Sequence, residues 1–261
     1  MNGLRVAFIG GLLSYRALFE WLSPPLFAAT MLATPAFQVI FFASFGAAHS
    51  TRPAEFFALG NAVQACAMAG IYGVAQTLAN ERTFGTIGHV LLSPANRVAL
   101  YLGRSLPHVL TGMVTSLAGL GLTVLITGVT LAPARLGPLL LVLLATSAGS
   151  AALGIPLGAL GLLNRDTVVG SSVAYFGLLL VSGAAVPAER LPTALRVLGG
   201  WLPVGNGVSA LRRLFGHGPD GVFTMYLVHE ALLGVVAMTL GMVVLRYVER
   251  RSRRRGDLDL F

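Results

Sequence analysis

Five stretches of this 261-residue chain carry no Asp, Glu, Lys or Arg: residues 21–51, 56–80, 105–134, 136–164 and 167–188. An α-helix rises about 1.5 Å per residue, so crossing a hydrocarbon core about 30 Å thick takes about 20 apolar residues. All five stretches are that long. The pattern predicts six membrane-spanning helices, at about Leu26–Ala47, Phe57–Leu78, Ser105–Thr127, Pro138–Leu163, Val168–Val186 and Phe223–Leu245. The sixth is interrupted near its start by Glu230, which leaves residues 231–245 free of charge. Residues 1–23 are too polar to span, but Leu4, Phe8, Leu12, Tyr15, Phe19 and Leu22 recur every three or four positions and line one helix face. That stripe predicts an amphipathic helix lying in the membrane interface and ending at the Pro24-Pro25 break. The same stripe would also serve an extension packed on neighbouring spans.

Composition supports the pattern. Hydrophobic residues make up 55% of the chain and charged residues 11%, with a mean hydropathy of +0.78. Soluble domains carry about 25% charged residues, so an ordinary water-facing surface is excluded. All 18 basic residues are arginine, a bias expected of a GC-rich bacterial genome. The absence of lysine excludes a P-loop, whose lysine contacts the β- and γ-phosphates. A single cysteine, Cys66, allows neither an intrachain disulfide nor a CxxC metal or redox site. No cluster of His, Asp and Glu converges near one interface, so the sequence predicts neither an enzyme nor a metal site. Twelve of the arginines fall on the side of the two termini and six on the other, and basic loops stay cytoplasmic. Both termini are therefore expected inside a bacterial inner membrane.

The only substantial inner loop, residues 79–104, has internal structure. Asn80 reads as a helix cap, and Glu81 suits the positive end of a helix running to about Leu92. Ser93-Pro94 reads as the N-cap and first position of the next helix, which enters the membrane as the third span. On the other side, residues 187–222 carry Pro187, Pro192, Pro203 and Pro219. There Leu191, Leu195, Leu198, Trp201 and Leu202 predict a short apolar helix dipping back into the outer leaflet.

Glu81, Arg82, Gly85, Thr86, Leu91, Leu92, Ser93, Pro94, Arg97, Gly103 and Arg104 together resemble the loop before the third span in ABC-2 type transporter permeases. After the fifth span, Ser182-Gly183, Pro187, Leu191-Pro192, Leu198, Trp201-Leu202-Pro203 and Leu211-Arg212 are similar to the same family. The resemblance implies an all-α integral membrane protein in which residues 1–261 form one transmembrane domain. Its parts are an interfacial helix at 1–23, a cytoplasmic coupling loop at 79–104, an outer re-entrant segment at 187–222 and a basic cytoplasmic tail at 246–261. It implies a permease working as a homodimer with two copies of a separate ATPase subunit that binds ATP and Mg, while the permease itself binds no cofactor. Glu81, Arg82, Gly85, Thr86, Leu91, Leu92, Pro94 and Arg97 become the ATPase-coupling interface. Pro187, Pro192, Trp201 and Pro203 mark the outer re-entrant segment over the exit. A drug-like or antibiotic cargo is expected, with a lipid-linked glycan as the alternative; membrane lipid is a partner and nucleic acid is not.

Several polar residues in apolar surroundings carry two readings. Asn61, Gln64 and Tyr175 are candidates for the substrate path, yet amides in spans more often bond across to neighbouring helices. Gly154 and Gly158 form a GxxxG of the kind that packs helices closely. Glu230 is expected at the outer interface within reach of water, and His229-Glu230 fails the H-E-x-x-H metalloprotease motif because position 233 is Leu. An ion-driven secondary transporter, the rival class, would show internal repeats and buried carboxylates. No repeat is evident, and Glu230 is the one candidate acid.

Overall fold

The computed structural model describes residues 10–11, 24–83, 85, 96–161 and 167–255. Among these every regular element is helical. Eight helices follow in order: α1 (Pro24–His49), α2 (Ala54–Thr83), α3 (Arg97–Thr127), α4 (Leu136–Gly161), α5 (Thr167–Val181), α6 (Thr193–Gly200), α7 (Gly205–Gly216) and α8 (Gly221–Arg255). Five of them, α1 to α4 and α8, are long and apolar enough to cross a membrane. The fifth helix is not. At 15 residues it reaches about 22 Å, short of the expected Val168–Val186 span. The chain leaves helix at Ser182 because Gly183 takes a left-handed φ of 77°. Gly10 and Gly11 are helical and lie against Leu100 and Gly103 of α3; the rest of the expected interfacial helix falls outside the described residues.

Helix α2 is the axis of the bundle. It packs on α1, α3, α4, α5 and α7, and 83% of its apolar window is buried, against 22–61% for the other four long helices. Lipid is as apolar as a leucine side chain, so small residues that bring backbones together drive such packing. On α4, a Cβ at Gly154 would meet the Val74 Cβ at 2.8 Å and the Gly70 carbonyl at 2.9 Å. One turn on, a Cβ at Gly158 would meet the Leu78 Cβ at 2.8 Å and the Ala75 carbonyl at 2.9 Å. The GxxxG thus serves packing within the chain. Buried hydroxyls add cross-helix bonds, with Ser147 donating to the Val109 carbonyl at 2.7 Å and Ser116 to the Val63 carbonyl at 3.4 Å.

Two helix boundaries differ from the sequence expectation. Helix α2 does not stop at Asn80. It runs on to Thr83, and the Asn80 side chain accepts from Gln76 Nε2 at 2.9 Å within the same helix. A change from apolar to polar residues marks a membrane edge, but Glu and Arg are good helix formers and do not end a helix. The next helix is capped by Asn96 rather than Ser93. Asn96 has extended backbone (φ −64°, ψ 115°), and its side chain accepts from the Val98 and Ala99 amides.

Candidate functional site

The loop between α2 and α3 begins where α2 ends. Glu81 and Arg82 occupy its last turn, and Gly85 then takes a φ of 66° with no described residue within 4 Å of where a Cβ would sit. Arg97 is the first residue of α3. Thr86, Leu91, Leu92 and Pro94 lie outside the described residues, as does the helix expected to run to Leu92. The sequence-derived coupling set is therefore split between two helix ends that are described and a connection that is not.

At the middle of the bundle the three candidate path residues join a chain of hydrogen bonds. The Tyr175 hydroxyl on α5 donates to Gln38 Oε1 on α1 at 2.6 Å. Gln38 Nε2 donates to Asn61 Oδ1 on α2 at 3.0 Å. Asn61 Nδ2 donates both to the Phe57 carbonyl and, at 3.2 Å, to the Ala184 carbonyl beyond α5. One turn along α2, Gln64 Oε1 accepts from the Ser182 hydroxyl at 3.1 Å, whereas Gln64 Nε2 is buried with no partner among the described residues. Asn61 and Gln64 are fully buried. Tyr72 donates to Ser172 at 2.9 Å and closes the α2–α5 contact. Gln38 is the member of this chain that sequence reasoning missed; a glutamine within a 31-residue charge-free stretch was its signal.

The segment expected to dip back into the membrane forms two short helices. Pro187 opens a 3-10 turn at Ala188–Arg190, and Pro192 precedes α6. Trp201 ends α6 and is 72% exposed, whereas Pro203 is buried against Gly149 of α4. Helix α7 is amphipathic and turns Val208, Leu211 and Leu214 inward. Side chains from elsewhere hold both of its ends. At the C-terminus, Arg135 Nη1 donates to the Leu214 and Phe215 carbonyls at 2.9 and 3.2 Å, a cation on the negative end of a helix. At the N-terminus sits Glu230. Its Oε1 accepts from the Val204 amide at 2.6 Å and its Oε2 from the Gly207 amide at 3.0 Å. Glu230 is fully buried, which corrects the water-reached interface position expected from sequence. Its partners are the amides of a helix start, which no charge count along the chain discloses.

Arg212, also on α7, reaches across to α2. Its Nε and Nη2 donate to the Phe56 carbonyl at 3.0 and 2.8 Å, and its Nη1 donates to the Gly183 carbonyl at 3.0 Å. The guanidinium lies 3.4 Å from the Phe56 ring centroid. The site is thus one central helix whose Thr83 end leads into the loop at Gly85. Its Ala54 end is bonded to α1, to Ser182 and Ala184 just after α5, and to α7.

A family profile described as "ABC-2 type transporter" matches residues 12–215. The chain belongs to the ABC-2 type transporter family. The match covers α1 to α7, including both the loop at the Thr83 end of α2 and the helix pair at its Ala54 end. No curated protein matches the chain. The chain is therefore a multi-pass membrane permease of a family of transport subunits that generally partner with an ABC ATPase subunit.

Proposed function

We propose that the permease is the membrane subunit of an ATP-driven exporter. It works as a homodimer with two copies of a P-loop ATPase that binds ATP and Mg, and it exports a drug-like or antibiotic compound. In this reading α5 is the fifth of six crossings of the bacterial inner membrane, both termini are cytoplasmic, and α6 and α7 cap the outer exit. The observation that carries it is the continuity of α2. One unbroken helix of 30 residues, about 45 Å long, joins the loop at Gly85 to the junction at Ala184. A rigid-body push from an ATPase on that loop reaches the outer cap without passing through a hinge.

Asn61 and Tyr175 have their polar atoms committed to the bonded chain. Gln64 Nε2 has no partner among the described residues, which favours it among the three for contact with a passing substrate. Glu81, Arg82, Gly85, Thr86, Leu91, Leu92, Pro94 and Arg97 form the ATPase-coupling interface.

The test uses Gly85. Its φ of 66° disfavours most side chains but is tolerated by asparagine. No described residue lies within 4 Å of its Cβ position. Gly85→Asn should keep the turn, ATPase co-purification and export. Gly85→Trp should abolish co-purification of the partner P-loop ATPase while the protein stays monodisperse. Wild-type co-purification and export from Gly85→Trp would overturn the coupling role.

A further inference from the structure

Helix α7 begins in a way that its own residues cannot support. The first four amides of a helix have no partner within it, and a Ser, Thr, Asp or Asn at the N-cap usually takes one of them. Here the N-cap is Val204, which has no side-chain acceptor. Its φ of 88° is a left-handed conformation that a β-branched residue rarely adopts. The chain has no slack before it, because the preceding Pro203 is wedged against Gly149 of α4. What holds this strained start is a carboxylate from another helix: Glu230 of α8 takes the amides of Val204 and Gly207, one on each oxygen. A buried anion at the positive end of a helix, with charge-assisted bonds on both oxygens, is a strong and geometrically selective contact.

We propose that Glu230 is a charge latch by which α8 positions the outer helix pair, so that α7 stays seated on α2 only while both carboxylate oxygens are bonded. The other end of α7 is already fixed by Arg135, so releasing the latch frees the Val204 end and lets α7 swing about its C-terminus. Glu230 is thus a positioning residue, acting through α7. The consequence for transport rests on the exporter reading, in which α7 covers the exit; the latch itself does not depend on it.

The test reads the seating of α7 directly, on the full-length permease in lipid nanodiscs with Cys66→Ser. A thiol introduced by Val208→Cys reports on α7, because Val208 is fully buried. A thiol introduced by Leu245→Cys, at a position 1% exposed on α8, reports on the bundle as a whole. With Glu230 intact, both should resist an impermeant maleimide. Glu230→Gln keeps the shape but turns an amide NH2 toward a backbone N–H; it should raise labelling at position 208 about tenfold and leave position 245 protected. Glu230→Asp is the poorer isostere but keeps the charge, so it should label more slowly than Glu230→Gln. Protection of position 208 in Glu230→Gln, exposure of both positions, or faster labelling in Glu230→Asp than in Glu230→Gln would each overturn the latch. Co-purification of the ATPase with the wild-type chain is scored separately. Its failure defeats the exporter reading and leaves the latch standing.

Discussion

Removing the Arg212 guanidinium should loosen the contact between α7 and α2 more than any apolar truncation nearby. The side chain makes three bonds of 2.8–3.0 Å to the carbonyls of Phe56 and Gly183 and stacks on the Phe56 ring. Hydrogen bonds from a charged group contribute about 1.5–3 kcal/mol each, and a desolvated cation–π contact about 1–2 kcal/mol. The acceptors are the Phe56 and Gly183 carbonyls and, at 3.4 Å, that of Ala184; such contributions overlap, so Arg212→Met should cost about 3–5 kcal/mol. Arg212→Lys keeps the charge but loses the planar fork that serves two carbonyls at once, and it should cost about half as much. At roughly 2–4 °C per kcal/mol for a chain of this size, Arg212→Met should lower the midpoint of thermal unfolding by roughly 6 °C or more. The site is built around this one side chain, since a Cβ at Gly60 would collide with Arg212 Nη2 and lie 3.1 Å from the Ala184 carbonyl. The assay is fluorescence-detected size exclusion of the detergent-solubilised permease after heating. A midpoint for Arg212→Met within about 2 °C of wild type would refute the energetic reasoning, as would equal losses for Met and Lys.

Two further outcomes follow from contacts already described. Gly154→Leu should destabilise the permease by about 3 kcal/mol or more, because the added side chain meets backbone carbonyls that cannot move aside. Gly121→Ala on α3, where nothing lies within 4 Å, should be neutral or slightly stabilising in the same heating assay; equal behaviour of the two would sink the close-packing argument. The Asp220 carboxyl, just before α8, is held down to about 2 by its bond to Arg213 and then by the Phe223 amide. A depressed carboxylate stabilises the fold above its ordinary range near about 4 and loses that contribution as pH falls through about 2. The gap in unfolding midpoint between wild type and Asp220→Asn should therefore be constant from neutral pH to about 5 and shrink between about 4 and 2. A gap that does not change across the acid range would refute the assignment.

The long spans were legible because membrane insertion acts on composition: a charge-free stretch of sufficient length predicts a helix whatever its neighbours. Where the outcome depended on a backbone dihedral or a distant partner, the same pattern misled. Residues 167–188 are as free of charge as any span, yet the helix ends at Val181 because Gly183 turns left-handed. The Gly-Thr and Ser-Pro of the inner loop carried the family resemblance, but the cap of the next helix is Asn96, identified by the bonds it accepts from the Val98 and Ala99 amides. The amides of α2 were visible as polar residues in an apolar run. That Asn61 meets Gln38 and Ala184, and that Gln64 Nε2 finds no partner among the described residues, depends on which helices lie beside α2.

Glu230 shows the limit most sharply. Along the chain it is an acid near the start of the last apolar stretch, and cost alone places such a residue at the water interface. Another way to meet that cost is to supply bonds inside the protein, and α7 supplies them because its own N-cap, Val204, leaves amides unpartnered. Each defect satisfies the other: a helix start without an acceptor and a carboxylate without water. Neither can be diagnosed from its own segment, since Val204 reads as an apolar loop residue and Glu230 as a surface acid. Arg135 repeats the logic at the far end of α7, where an arginine separating two apolar spans donates to carbonyls some 80 residues away. A short helix of 12 residues is marginal on propensity alone. The charges that make α7 a fixed part of the fold thus lie in sequence segments that gave no sign of belonging to it.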